Sequence, residues 1–372
     1  MDSIAYQEIK LAVIIKYADN AGNSSGNLLS TLRRLLPAFC LVLTSIHCKG
    51  NLGFSGNRMA RKVIIDCDPG IDEAVALALA LFDPRLDVVA ITACAGTVDA
   101  EQATQNVRAL VERLDPPRIP RIGAALDPEL GAAVSNGTLL HGDDGLGNSD
   151  WTPVSRQHSM PSDKLLADRL KAAPGSTTIV CTGPLTGIAK ALGRDPSLIP
   201  LIDRIVIAGG AVNGIGNVTP AAEFNMHFDP ASAQAVFHSA TTKSLIPLDV
   251  STQLAFGWEL TERLPPRYTK VGKVLHEIVP HYCRSTRQQL GRELMSLQAV
   301  LPILMLVEPM LFEFEEMAGN VETSGDLTRG ATVFDRRIPR QWRPNMEVAR
   351  SIDLDAAYDA FYNLLKYAAQ DL

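Results

Sequence analysis

From Val63 onward, short runs rich in β-branched residues alternate with stretches whose apolar positions recur every three or four residues. Val63–Ile65, Val88–Ala93, Thr177–Cys181, Arg204–Ala208 and Ser244–Pro247 read as strands. Between them the spacing predicts helices over about Asp72–Phe82, Ala100–Leu114, Leu185–Leu192 and Pro230–His238. Strands that alternate with helices join through right-handed crossovers, which predicts an α/β fold with an open, mostly parallel sheet and helices on both faces. Beyond Leu260 the pattern reads as helical, with a buried apolar stretch at Leu301–Val307 and a last helix over about Leu354–Ala369.

Residues 1–60 do not share this alternation. They hold a Ser/Gly/Asn-rich stretch from Asn20 to Ser30, then Arg33 and Arg34, then an apolar run from Leu35 to Ile46 that is too short to span a bilayer. A secretory signal would put small residues around a cleavage site after such a run, and here Ser45-Ile46-His47-Cys48 follows. Met59-Ala60-Arg61-Lys62 leads straight into the first convincing strand. The expectation is a poorly ordered extension, or upstream sequence translated from a misplaced start, over 1–60 and one folded domain over 61–372.

The 372 residues are 46% hydrophobic and 20% charged, ordinary for a globular chain, and the formal net charge of −6 contains no basic block. That balance argues against nucleic acid or an anionic membrane as partner and favours a small neutral substrate. Six cysteines, at 40, 48, 67, 94, 181 and 283, form no CxxC pair and no zinc-type spacing with histidine. They read as reduced thiols of a cytoplasmic protein.

Open parallel sheets bind ligands at the carboxyl ends of their strands. Those ends carry Asp66-Cys67-Asp68-Pro69-Gly70, Gly96-Thr97, Thr182-Gly183-Pro184, Gly209-Gly210 and Asp249. Four carboxylates, Asp66, Asp68, Asp72 and Glu73, fall within eight residues. A helix dipole accounts for Asp72 and Glu73 alone but leaves Asp66 and Asp68 unexplained. Crowded carboxylates at the end of a buried strand repel unless a cation or protons neutralise them, and oxygen donors suit Ca²⁺ or Mg²⁺. The loop lacks both GxxxxGK[ST] and GxGxxG, so it offers no cradle for nucleotide phosphates. A hard cation beside a spare carboxylate points to metal-assisted hydrolysis.

The loop Asp66-Cys-Asp-Pro-Gly-Ile-Asp-Glu-Ala74 resembles the DxDPGxDDA signature of the inosine-uridine preferring nucleoside hydrolases. The resemblance extends through His141-Gly-Asp-Asp-Gly-Leu-Gly147, Thr182-Gly-Pro-Leu-Thr186, Gly209-Gly210 and Gly216-Asn-Val-Thr-Pro-Ala-Ala-Glu-Phe-Asn225, covering the chain from about residue 61 to its end. It implies hydrolysis of ribonucleosides to ribose and free base, with tightly held Ca²⁺, by a homodimer or homotetramer. By that resemblance Asp68 is the general base and a Ca²⁺ ligand, Glu73 a second ligand, and Thr182 a third through its carbonyl. Asp72 holds the ribose 2′-hydroxyl, and Asn217, Glu223 and Asn225 hold the others. On spacing alone, Asn217 to Asn225 reads equally as a polar turn. His141 reads as a hydrogen-bonding loop residue and is given no acid role.

Three positions depart from the family pattern. Gly96-Thr97 stands where most members have Gly-Asn, and Glu73 replaces the second Asp of the acidic pair. A His-Asp pair, supplying a leaving-group acid and another Ca²⁺ ligand, aligns with Gln298-Ala299. Asp249 is a topological candidate to replace the missing ligand. Two alternatives follow: a nucleoside-binding homologue with impaired turnover, and a haloacid-dehalogenase-like phosphohydrolase built on Asp66-x-Asp68.

Overall fold

The computed structural model describes residues 60–128, 137–154 and 159–370. The reading of residues 1–59 as an extension lies outside them. Nine strands form the main sheet: β1 (Arg61–Cys67), β2 (Leu86–Ala93), β3 (Arg121–Ala124), β4 (Met160–Pro161), β5 (Thr177–Cys181), β6 (Ile202–Ala208), β7 (Lys243–Ile246), β8 (Phe312–Met317) and β9 (Met346–Ile352). Their order is β8-β9-β7-β6-β5-β1-β2-β3-β4. Every pair is parallel except β8 with β9.

Alternation along the central strands sends side chains into two cores. Val63 and Ile65 of β1 join Val180, Val206 and Ile246 on one face. Ile64 joins Ile179, Ile205, Ile207 and Leu245 on the other. The first face is covered by α1 (Ile71–Phe82), α2 (Ala100–Leu114), and the later helices over Lys270–Leu290, Val300–Val307 and Leu354–Ala368. The second is covered by α3 (Ser162–Ala172), α4 (Thr186–Arg194) and α5 (Pro230–His238). The later helices are α6, α7 and α8 in chain order. The expected sheet with helices on both faces is therefore present.

The region after Leu260 corrects the sequence reading. It holds α6, α7 and α8 but also contributes β8 and β9 to the main sheet, and Gly319–Val321 pairs with Thr332–Phe334 as a separate hairpin. In β8, Phe312-Glu-Phe-Glu-Glu-Met317, the period of two is present but reads as a charged segment, because an edge strand exposes one face and carries glutamates there. The short β3 and β4 were likewise not predicted; four and two residues are too few to show a period.

Strand order reverses at β1, whose neighbours are β5 on one side and β2 on the other. The crevice beyond the carboxyl ends of β1 and β5 is the place where such a sheet accepts a ligand. Among the described residues, no helix is long and apolar enough to cross a membrane.

Candidate active site

β1 ends at Cys67, and the chain then places Asp68 in this crevice with 2% of its surface exposed. Glycines make the space. A Cβ on Gly183 would stand 2.5 Å from Asp68 Oδ1, and one on Gly96 would overlap the same carboxylate. Thr97 donates to Asp68 Oδ2 from its backbone N–H at 2.9 Å and its hydroxyl at 3.1 Å. Burial, opposed by these bonds and reinforced by the charge of Asp72, still pushes the Asp68 acid up to about 8. Asp66, one step back in the strand, accepts the Thr92 hydroxyl at 2.5 Å. Its other oxygen is buried and has no partner among the described residues, and burial pushes this acid up to about 7.

α1 begins beside them. Glu73 Oε2 accepts the Gly70 N–H at 3.0 Å, so this side chain also closes the first turn of its own helix. Burial first, then the charges of Asp72 and Asp68, hold Glu73 well above the usual carboxylate range. Asp72 accepts the backbone N–H of Ala299 at 3.3 Å. His141 Nδ1 accepts the Ile71 N–H at 3.0 Å, which leaves the ring proton on Nε2. Its ring stacks on Tyr282 with centroids 4.8 Å apart, and burial lowers its basicity. Of the sequence reading of His141 as a hydrogen-bonding loop residue, the hydrogen bond is present, but the residue ends the short helix Thr138–His141 rather than lying in a loop, and it also lines the cavity.

Across the crevice, Glu223 caps the short helix Phe224–Phe228. Its oxygens accept the N–H groups of Gly210 at 3.0 Å, Asn225 at 3.0 Å and Met226 at 3.2 Å. Asn225 Nδ2 donates to the carbonyls of Thr182 at 2.8 Å and Ala208 at 3.1 Å. Asn217, in an exposed loop, accepts the Phe224 N–H at 2.9 Å. Thus part of the stretch from Asn217 to Asn225 does work as a turn, as one of its two readings held.

One cavity of about 520 Å³ is lined by Asp68, Asp72, Glu73, Thr182, Asn217, Glu223 and Asn225, so every site residue expected from the sequence reaches it. Gln298 and Ala299 line it too. Asp249 also reaches it, but its oxygens accept the N–H groups of Val212 at 2.7 Å, Asn213 at 2.7 Å and Gly214 at 2.9 Å. That carboxylate holds a loop with three of its lone pairs, a structural task that the suggestion of it as a replacement ligand does not include. Tyr282, Thr286, Arg292 and Leu294 form a wall that sequence reasoning missed; only the helical spacing of Tyr282, Thr286 and Leu290 could have signalled it.

The donor set was tested against a hard divalent cation. Among the described residues, no three Asp, Glu, His or Cys side chains are gathered as a ready metal cage. The donors are nonetheless all oxygen: the Asp68 and Glu73 carboxylates, whose mutual repulsion a cation would relieve, and the Thr182 carbonyl. Asp66 Oδ2 and Thr182 Oγ1 are buried without partners among the described residues; Thr182 lines the cavity and Asp66 does not. These residues fit a cation with a thin donor set, because Ala299 offers no carboxylate. The thiols of Cys67, Cys94 and Cys181 are free, buried and pushed well up by that burial, so they are inert packing groups.

Comparison with known proteins agrees with the geometry. Residues 63–359 match the inosine-uridine preferring nucleoside hydrolase family. The pyrimidine-specific ribonucleoside hydrolase RihA of Shigella boydii is 35% identical over 313 residues, 84% of this chain and 100% of that protein. The non-specific ribonucleoside hydrolase RihC of Escherichia coli is 37% identical over 297 residues, 80% and 95% of the two chains. Among solved structures, the purine-preferring ribonucleoside hydrolase from Gardnerella vaginalis superposes with a TM-score of 0.78 at 26% identity, covering 84% of this chain and 100% of that one. A plant nucleoside hydrolase, PpNRh1, gives 0.76 at 30% identity, with 84% and 99% covered. With that match running from β1 into α8, the phosphohydrolase reading falls away, and the chain belongs to the inosine-uridine preferring nucleoside hydrolase family.

Proposed function

We propose that this chain cleaves the N-glycosidic bond of ribonucleosides, giving ribose and free base, with Asp68 as general base and Ca²⁺ held by Asp68, Glu73 and the Thr182 carbonyl. The family is a family of metal-dependent ribonucleoside hydrolases. The carrying observation is Asp68 itself: buried at the switch point and facing the cavity, with burial and the charge of Asp72 disfavouring its bare carboxylate, so that a bound cation is what would keep it ionised and able to accept a proton. When bound, the cation would supply Lewis-acid polarisation.

Asp68 takes a proton from a water whose oxygen attacks C1′ while the C1′–N bond breaks. Positive charge building on the sugar ring is met by the carboxylates around it. Asp72 is proposed to hold the 2′-hydroxyl, and Asn217, Glu223 and Asn225 the others. Asn225 spends its amide N–H groups on two carbonyls, which leaves its oxygen to accept from a hydroxyl. Asn217 is used through its oxygen, which leaves its amide to donate. Glu223 is fixed by three backbone donors and keeps lone pairs for the sugar.

A second reading, a nucleoside-binding protein with impaired turnover, rests on Gln298 and Ala299 standing at the cavity wall. Incubation with inosine, uridine, cytidine and adenosine, followed by assay of reducing sugar, separates the two. Ribose release supports the hydrolase; saturable binding without release supports the second reading. We also propose a cytoplasmic homodimer or homotetramer; the free thiols are in keeping with a reducing compartment.

A further inference from the structure

Four arginines fall within the eight residues Arg336–Arg343, a concentration of positive charge that the sequence reading passed over in a chain of formal net charge −6. The fold gathers three of them around a second cavity, of about 370 Å³. Arg336, Arg337 and Arg340 line it beside the edge strand β8, and Arg350 joins them from β9. Asp335 holds this loop ready. Buried, it accepts the Arg337 guanidinium at 2.8 and 3.0 Å and the backbone N–H groups of Gln341 at 2.7 Å and Trp342 at 2.8 Å, which ties residues 335–342 into a closed turn.

The remaining positive charge is under-matched. Arg340 reaches Glu315 at 2.8 Å and Arg350 reaches the same carboxylate at 3.5 Å, so two cations share one anion. Arg336 pairs with no acid among the described residues: its guanidinium donates to the Asn213 side-chain oxygen and the Val212 carbonyl. Four guanidinium groups thus draw on two carboxylates, Asp335 and Glu315. A planar guanidinium meets two oxygens of a phosphate at once, and several converging on one cavity suit a multiply charged anion. Ile338, fully exposed at the cavity wall, offers apolar surface to the group that carries the phosphate.

We infer that this cavity binds a small phosphate monoester and, through the loop at 212–217, weakens the hold of the catalytic cavity on its nucleoside. Arg336 is the link. The loop that it grips at Val212 and Asn213 continues into Gly214, Ile215, Gly216 and Asn217, which line the catalytic cavity. A phosphate that recruits Arg336 withdraws both of those donors from the loop and frees Asn217 to move away from the sugar. By linkage the nucleoside weakens phosphate binding by the same factor. The coupling rests on the hydrolase reading above; the phosphate site does not.

Calorimetry at fixed ionic strength tests the site, with phenyl phosphate as probe and benzenesulfonate as the singly charged control. Phenyl phosphate should half-saturate at about 0.1–1 mM, the strength that a few charge-assisted hydrogen bonds give at an open surface. Benzenesulfonate should bind about tenfold more weakly or worse. Arg340→Gln with Arg350→Gln should weaken phenyl phosphate by about tenfold or more and leave ribose release in the absence of phosphate unchanged. Glu315→Gln removes the competing acid and should tighten binding by about 3- to 10-fold, a gain that a damaged fold cannot produce. No binding of phenyl phosphate, equal binding of benzenesulfonate, or indifference to these variants would overturn the site. So would capture of a single-stranded oligonucleotide by a protein that ignores phenyl phosphate. In ribose-release assays, saturating phenyl phosphate should raise KM for inosine by about fivefold with kcat held, and the double variant should lose the effect. Binding with no change in KM would overturn the coupling and uphold the site. A wild type that releases no ribose would instead defeat the hydrolase reading; inosine affinity measured with and without phenyl phosphate then decides, and an unchanged affinity refutes the coupling.

Discussion

Asp68 and Asp249 follow the carboxyl ends of parallel strands in the same sheet and line the same cavity, yet their oxygens are used differently. Three backbone N–H groups from the loop at Val212, Asn213 and Gly214 satisfy both oxygens of Asp249. Asp68 draws on Thr97 through one oxygen only, is squeezed between two glycines, and is pushed up to about 8 by burial. Position at a strand end nominates a carboxylate; what its oxygens already accept decides its task. A satisfied carboxylate holds structure, and a buried one in want of a positive partner is available for a cation or a proton.

The sharpest way to break this comparison is to neutralise each residue. Asp68→Asn should lower kcat by about 10³- to 10⁵-fold, the combined loss of a base and a weakened metal site. Similar losses in Asp68→Asn and Asp249→Asn would erase the distinction. Next in size is a gain: Gln298→His with Ala299→Asp should raise inosine turnover by about 10²- to 10⁴-fold and tighten Ca²⁺ binding, read by calorimetry, because an acid and an anionic ligand are added. Asp249→Ala frees the loop at 212–214, and should raise KM by about tenfold while leaving three amides unsatisfied, at a cost of roughly 1–3 kcal/mol in urea melts.

The smallest effect is on stability in chelator-stripped protein. Asp68 has a folded value of about 8 against an ordinary 3.8, so in that window the folded state holds a proton that the unfolded chain has lost. Its contribution is fully present below about pH 4 and is lost as the pH rises toward 8. Wild-type stability should therefore fall between pH 5 and 8 more steeply than that of Asp68→Asn; parallel curves in urea titrations would contradict the assignment.

The central strands and the acidic loop were legible because burial on both faces writes continuous β-branched runs, and because four clustered carboxylates have few structural explanations. The residues that nominate the sugar side, Asn217, Glu223 and Asn225, came from resemblance; their spacing alone also fits the turn that they partly form. The loop-holding task of Asp249 was hidden because its partners are backbone amides of a loop 35 to 37 residues away, which no side-chain motif announces. The wall at Tyr282, Thr286 and Arg292 was hidden because an ordinary amphipathic helix shows the same spacing, and only the fold says that this face meets a cavity. β8 escaped because its exposed face is written in glutamates.

Ribose release from inosine and uridine, followed before chelator dialysis, after it, and after Ca²⁺ is restored, tests the account at its centre. A site built on Asp68, Glu73 and the Thr182 carbonyl, with Ala299 giving no charge, should release ribose slowly, lose its metal readily and stop, then recover as Ca²⁺ is added back. A protein that keeps Ca²⁺ through prolonged dialysis and cleaves inosine rapidly, or one whose ribose release ignores chelation, would contradict it.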